Sequence, residues 1–208
     1  MSIDVEERLT DGLAKLGASA DPGIVAALLR YLRLLEAWNR AYNLTRITGL
    51  EDMVVRHVLD SASARPYLAG QAVLDAGTGA GLPGIPLALL EHGRRFTLLD
   101  SIGKKTNFLE QAVAELGLAN VTIVRSRLEH WRPQALFDTI VCRALGTLEE
   151  FAALCGHLLA PAGRLVAMKG RRPAGELAAV RPPWRVATLE RIAVPGLDAE
   201  RHIVVLER

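Results

Sequence analysis

The sequence predicts an α/β fold: a mostly parallel sheet closed by an antiparallel hairpin, with a helical region ahead of it. Three observations predict it. From residue 72 onward, short apolar runs alternate with stretches of helical period, the pattern of parallel strands with helices on both faces. The first run leads through a glycine loop, Asp75 to Gly81, into a further apolar segment. The last two runs, 185–194 and 201–207, are joined by Pro195-Gly196-Leu197-Asp198. That connection is too short for a crossover helix, so the pair forms a hairpin.

Each element follows in order. Residues 4–16 form an amphipathic helix. Residues 24–42 form the clearest one, with Ile24, Leu28, Tyr31, Leu35, Trp38 and Tyr42 at helical spacing. Asp21 and Pro22 supply its cap and first-turn proline. Residues 50–65 read as a helix with Met53, Val54, Val58 and Leu59 apolar. No Gly-, Pro- or Ser-rich linker follows. The helical region, 1–70, is therefore expected to pack on a sheet unit spanning 71–208. Strands are expected at 72–76, 95–100, 121–125, 137–142 and 163–168, and helices at 84–92, 104–116 and 148–159.

The 208 residues suit one such unit, and half are apolar. With 25 basic and 23 acidic side chains the net charge is only +2, so charge alone does not announce a nucleic-acid binder. Its placement is more informative. Lys104 with Lys105, Arg125 with Arg127, and Lys169 with Arg171 and Arg172 all fall at one expected edge of the sheet. Cys142 and Cys155 have no metal spacing and read as buried apolar groups in a reducing compartment. The five histidines show no ligand spacing, so no metal is expected. The acidic start has no apolar core of a secretory signal, and no apolar run reaches the ~18 residues that span a bilayer. A cytoplasmic, membrane-free protein is expected.

Two cofactors compete for the glycine loop. Gly79, Gly81 and Gly84 spell the dinucleotide fingerprint. Asp75, Gly77, Thr78, Gly79 and Gly81 fit S-adenosylmethionine better. A carboxylate beside the loop would repel a pyrophosphate but attract an ammonium and a sulfonium. In dinucleotide register the third small residue would stand at position 82, which is Leu82. The terminal hairpin points the same way, since it resembles the class I methyltransferase fold, a Rossmann-like sheet with an antiparallel end.

Ligands in such sheets lie beyond the carboxyl ends of the strands. Asp100 ends the second strand, placed to accept both ribose hydroxyls or to cap the next helix. Leu128 and Glu129 follow the third, placed to cover an adenine and meet its amine. Arg143 ends the fourth, at the mouth where a methyl acceptor must come. Lys169, Arg171 and Arg172 follow the fifth and suit phosphate.

The segments WNRAYNLT (38–45), VRHVLDS (55–61), DAGTGAGLPGIPL (75–87), LLDSIGKK (98–105), SRLE (126–129), CRAL (142–145), MKGRRP (168–173) and ERHIVVL (200–206) together resemble one family. It is the bacterial 16S rRNA guanosine N7-methyltransferases, also called glucose-inhibited division protein B. The resemblance covers roughly residues 28–206. It implies methyl transfer from S-adenosylmethionine to N7 of the guanosine conventionally numbered 527, in the 530 loop. It also implies donor contacts at Gly77, Leu82, Leu128, Glu129 and Arg143, and 16S rRNA in a small ribosomal subunit or its precursor as partner. Ala76, Ala80 and Cys142 depart slightly from the family pattern.

N7 carries a free lone pair, so the reaction needs positioning rather than a base. Asp60 and Arg143 are the candidates at the reacting centre, Asp60 either stabilising the cationic product or packing a helix end. Arg56, His57, Lys104, Lys105, Arg127, Lys169, Arg171 and Arg172 are the expected RNA contacts. For Arg56 and His57 the other reading is a tie between helices and sheet. The terminal hairpin would cover one sheet edge and leave a monomer. Rival readings are a class I methyltransferase acting on another RNA, a protein or a small molecule, and a non-catalytic RNA-binding relic.

Overall fold

The computed structural model describes residues 4–208. Its seven-stranded sheet has the order β3-β2-β1-β4-β5-β7-β6. The strands are β1 (Ala72–Ala76), β2 (Arg95–Asp100), β3 (Val121–Arg125), β4 (Phe137–Arg143), β5 (Leu159–Lys169), β6 (Arg185–Arg191) and β7 (His202–Glu207). The first five are parallel, and β7 pairs antiparallel with both β5 and β6. The chain reverses its winding at β1, so the carboxyl ends of β1 and β4 flank the crevice where such sheets hold ligands.

The helices are α1 (Val5–Lys15), α2 (Pro22–Tyr42), α3 (Leu50–Met53), α4 (Asp60–Ala62), α5 (Gly84–Leu90), α6 (Gly103–Leu116), α7 (Leu148–Cys155) and α8 (Ala174–Ala179). Asp21 caps α2 by accepting from the Gly23 N–H at 2.8 Å. One apolar cluster runs from Leu9, Leu28 and Leu32 through Ile85 and Leu98 to Phe108, so the N-terminal helices share a core with α5 and α6. A second cluster on the other face packs α7 against β4, β5 and β7.

Several elements differ from expectation. Residues 50–65 are not one α-helix. A π-helical turn at Val54–Leu59 separates α3 from α4, and a 3₁₀ turn follows at Arg65–Tyr67. Ser61 Oγ donates to the His57 carbonyl at 2.5 Å, and Ser63 Oγ to the Asp60 carbonyl at 2.6 Å. Such side-chain bonds compete with the regular backbone ladder. The expected helix 148–159 stops at Cys155, because a 3₁₀ turn at Gly156–Leu158 feeds directly into a β5 longer than expected. α5 ends at Leu90. α8 was not expected. Tyr42, placed on the buried face of α2 by its spacing, is exposed.

The connection between β6 and β7 folds back on the helical region. Val194 is buried in the first cluster, and a Cβ on Gly196 would lie 3.3 Å from Val55 Cγ2. This packing carries Arg201 to the π-turn. No helix is long and apolar enough to cross a membrane among the described residues.

Candidate active site

β1 delivers Asp75 into the core with no solvent exposure. Its Oδ2 accepts from Thr78 Oγ1 at 2.6 Å and from the Gly84 N–H at 2.7 Å, so one carboxylate closes the whole loop. Tyr31 of α2 donates its hydroxyl to the Ala80 carbonyl at 2.7 Å and ties the helical region to the same loop. Gly77 and Gly84 show two different reasons for glycine in this loop. Gly77 has φ +68°, which L side chains rarely adopt. A Cβ on Gly84 would sit 2.1 Å from Leu98 Cδ2 and 2.7 Å from Asp75 Oδ2.

Asp75 is therefore not a surface lure for a cation but the clasp of the loop. Its Oδ1 is buried with no partner. Burial pushes its pKa up to about 7, although Thr78, Gly84 and Arg143 pull the other way. A folded pKa above the ordinary 3.8 means the folded chain binds this proton more tightly than the unfolded one. The group's contribution to stability therefore falls as pH rises from about 4 to about 7, and is level above. Asp75→Asn removes that dependence. Denaturant unfolding at pH 5 and pH 8 is expected to show the variant gaining on the wild type at the higher pH.

At the end of β2, Asp100 is buried and fully engaged. Its Oδ1 accepts from the Ile102 N–H at 2.9 Å, at the start of α6. Its Oδ2 accepts from the Gly79 N–H at 3.0 Å and from Lys105 Nζ at 3.2 Å. Of the two expected duties, its bonds perform the ordering of the α6 entrance; the same carboxylate also holds the glycine loop and lines the cleft. That cleft encloses about 340 Å³ and is walled by Gly77, Asp100, Ile102, Lys105, Leu128, Glu129 and Leu145. Its size lies within the range of small-molecule sites, ~300–1,000 Å³.

A second cleft of about 620 Å³ opens beside it and shares Ala144 with the first. Thr45, Arg46, Arg56, Asp60, Arg143, Met168 and Arg201 line it. Arg143 donates to the Arg56 carbonyl at 3.0 Å and to Asp60 Oδ2 at 3.2 Å. Arg201 Nε donates to Asp60 Oδ1 at 2.7 Å. Asp60 is thus buried between two guanidiniums, both oxygens in use. His57 is buried too, with Nε2 2.9 Å from Thr45 Oγ1. Burial first, then the Arg143 charge, lowers its pKa to about 4, so it is neutral at pH 7.

Gly77, Asp100, Leu128 and Glu129 meet around the first cleft. Thr78, Gly81 and Leu82 do not line it, and Leu82 is buried in the N-terminal cluster. Gly79 reaches the cleft's edge through its bond to Asp100. The basic residues divide. Lys105 is held by Asp100, and Lys169 by Glu176 and the Gly146 carbonyl, each at 2.7 Å for Lys169. Lys104 donates to the Tyr42 carbonyl at 2.7 Å. Arg56 and Arg127 are exposed, with loose 3.7 Å contacts to Asp52 and Glu129. Arg171 and Arg172 are exposed without an ion pair among the described residues.

Sequence reasoning missed three groups: Tyr31, Thr45 and Arg201. Tyr31 reads as an apolar helix position, and only its hydroxyl tip acts on the loop. Arg201 stands 141 residues from Asp60, and no spacing rule links them. Burial raises the pKa of both Cys142 and Cys155, Cys155 to about 12, which removes thiolate character.

Solved structures with similar folds include coclaurine N-methyltransferase bound to N-methylheliamine and S-adenosylhomocysteine, with TM-score 0.61 at 12% identity over 86% of this chain and 78% of that one. Another is an S-adenosylmethionine-dependent methyltransferase from Thiobacillus denitrificans, with TM-score 0.56 at 14% identity over 84% and 97%. These establish the class I methyltransferase fold. Among curated relatives, ribosomal RNA small subunit methyltransferase G of Nitrosococcus oceani is 50% identical over 97% of this chain and 94% of its own length. The protein of the same name from Pseudomonas aeruginosa is 48% identical over 97% and 95%. Residues 24–204 match the family described as rRNA small subunit methyltransferase G. The chain therefore belongs to the rRNA small subunit methyltransferase G family.

Proposed function

We propose that this protein transfers a methyl group from S-adenosylmethionine to N7 of a guanosine in the 530 loop of 16S rRNA, position 527. It acts as a cytoplasmic monomer on the small ribosomal subunit or its precursor. The observation that carries the reading is the meeting, at Ala144, of a small-molecule cleft and an open, arginine-lined cleft, the second of which Arg143 lines. Family membership supports the rRNA acceptor. The outer strand β6 exposes Arg185, Glu190 and Arg191, charges that discourage strand addition by a second copy.

The residues present fit the methyl donor. The cleft has the size for it, and its lining pairs the carboxylates of Asp100 and Glu129 with the apolar Leu128. S-adenosylmethionine supplies an electrophilic methyl on a sulfonium. Asp100 would hold the ribose hydroxyls, Leu128 would cover the adenine, and Glu129 would meet its amine. Arg143 lines the second cleft, next to Ala144, which the two clefts share. No residue removes a proton, because guanine N7 has none. Catalysis is positioning, which in favourable systems supplies ~7–11 kcal/mol. Asp60 does not stand free beside the purine. It neutralises and orients Arg143 and Arg201, which suits a wall that must tolerate a base turning cationic.

Asp100→Ala removes an ionised acceptor from the Gly79 and Ile102 N–H groups. Hydrogen bonds to charged groups contribute ~1.5–3 kcal/mol each. Calorimetry is expected to show S-adenosylhomocysteine binding weakened at least tenfold. The reading as a whole is tested by titrating the protein with S-adenosylmethionine and with NAD, then incubating it with labelled donor and unmethylated small subunits. Binding of the first ligand alone, with nuclease-sensitive label, supports it. NAD binding, or label on protein or small metabolites, contradicts it.

A further inference from the structure

Among the described residues only Tyr42, Ile102 and Leu136 expose a large apolar side chain, Tyr42 at 44% and Ile102 at 43%. Two of the three, Tyr42 and Ile102, stand on segments that Lys104 joins at the active-site end. Tyr42 closes α2, and Asn43 behind it turns left-handed at φ 49°. The Tyr42 ring lies 5.0 Å from that of Trp38, tilted by 32°, and Trp38 in turn packs on Phe108 at 5.6 Å. The exposed ring is thus backed by a rigid aromatic stack rooted in the core. Lys104 Nζ binds the Tyr42 carbonyl, which joins the end of α2 to the turn that bears Ile102. Ile102 walls the first cleft, while Thr45, Arg46 and Ile47, just beyond Tyr42, line the second.

We propose that Tyr42, whose carbonyl Lys104 binds, is a stacking platform for an unpaired rRNA nucleotide next to the methylated base. The proposal rests on the rRNA reading above. The chemistry favours a nucleotide. Aromatic faces carry unstacked bases, and cations beside them meet the phosphates. Arg40 and Arg46, two and four residues away in the chain, are exposed, as is Lys104, which binds the Tyr42 carbonyl. One tyrosine and one isoleucine are too little apolar surface for a stable protein interface, which buries upward of ~1,000 Å². The α2 apolar stripe has no folding reason to end in an exposed aromatic ring. A base stacked on it fixes the strand while its neighbour enters the second cleft.

The test is steady-state methylation of unmodified small subunits and of extracted 16S rRNA, with S-adenosylhomocysteine affinity measured in parallel. Removing a stacking ring weakens binding by roughly 5- to 160-fold. Tyr42→Ala and Tyr42→Leu are expected to raise KM about tenfold on both substrates, with kcat and cofactor affinity near the wild type. Tyr42→Phe and Tyr42→Trp are expected to keep the wild-type KM. Tyr42→Leu preserves an apolar contact on Trp38, so its failure separates stacking from packing. An unchanged KM in Tyr42→Leu overturns the proposal, as does a Tyr42→Phe as poor as Tyr42→Ala. A defect confined to assembled subunits overturns it too and assigns the patch to a ribosomal protein. If the wild type methylates neither substrate, the rRNA reading itself is rejected.

Discussion

Arg143→Ala is expected to lower kcat/KM on small subunits by at least about 100-fold. One guanidinium serves the Arg56 carbonyl and Asp60, and its other terminal nitrogen lies 3.4 Å from His57 Nδ1. It thereby holds the π-turn against the end of β4 and lines the second cleft where it adjoins the first. Without it the Asp60 charge keeps only Arg201. Breaking one partner from a buried pair destabilises by ~3–5 kcal/mol where nothing replaces it, and Arg201 moderates that loss. The larger effect is on geometry, since a displacement of ~1 Å can reduce a positioned reaction by 10²-fold. Arg143→Lys is expected to rescue little, because an ammonium cannot reproduce the planar fork. Asp60→Asn in the Arg143→Ala background should add less than it does alone. Thermal melts and initial rates of methylation check both parts.

Gly84→Val is the second large effect, and it acts through the fold. Its Cβ would collide with Leu98 Cδ2 and crowd the Asp75 oxygen that the Gly84 N–H now reaches. Overpacking costs ~1–3 kcal/mol. Leaving the buried Asp75 acceptor without the Gly84 N–H costs ~1–3 kcal/mol more. A combined loss of about 2–6 kcal/mol lowers Tm by roughly 4–24 °C in a chain of this size. Cofactor binding should fall with it, because the same carboxylate also holds Thr78. Scanning calorimetry with and without S-adenosylhomocysteine reads both quantities. A variant as stable as the wild type, with intact binding, would contradict the role given to Asp75.

β1, β2 and β3 begin and end where their apolar runs do, because in a sheet covered by helices the run itself is the strand. The glycine loop was legible for the same reason, being a break between a buried strand and a buried helix. Grouping the site residues at one edge followed from parallel order alone. Other features depend on contacts distant in sequence. The π-turn at 54–59 has the same apolar composition as a helix, and only serine side chains bonding backwards reveal it. Lys105 and Lys169 look like free cations in the sequence, yet Asp100 and Glu176 hold them. Arg201 lay in a quoted motif without a task until the hairpin connection, packed on Val55, brought it to Asp60.

The measurement that tests the central claim most directly is the identity and position of the methylated nucleoside. Small subunits lacking the modification are incubated with labelled S-adenosylmethionine and this protein, and the rRNA is digested and mapped. The account predicts label as 7-methylguanosine at position 527 of 16S rRNA, lost in Arg143→Ala. Label on another atom, another nucleotide or a protein, or none with cofactor binding intact, would contradict it.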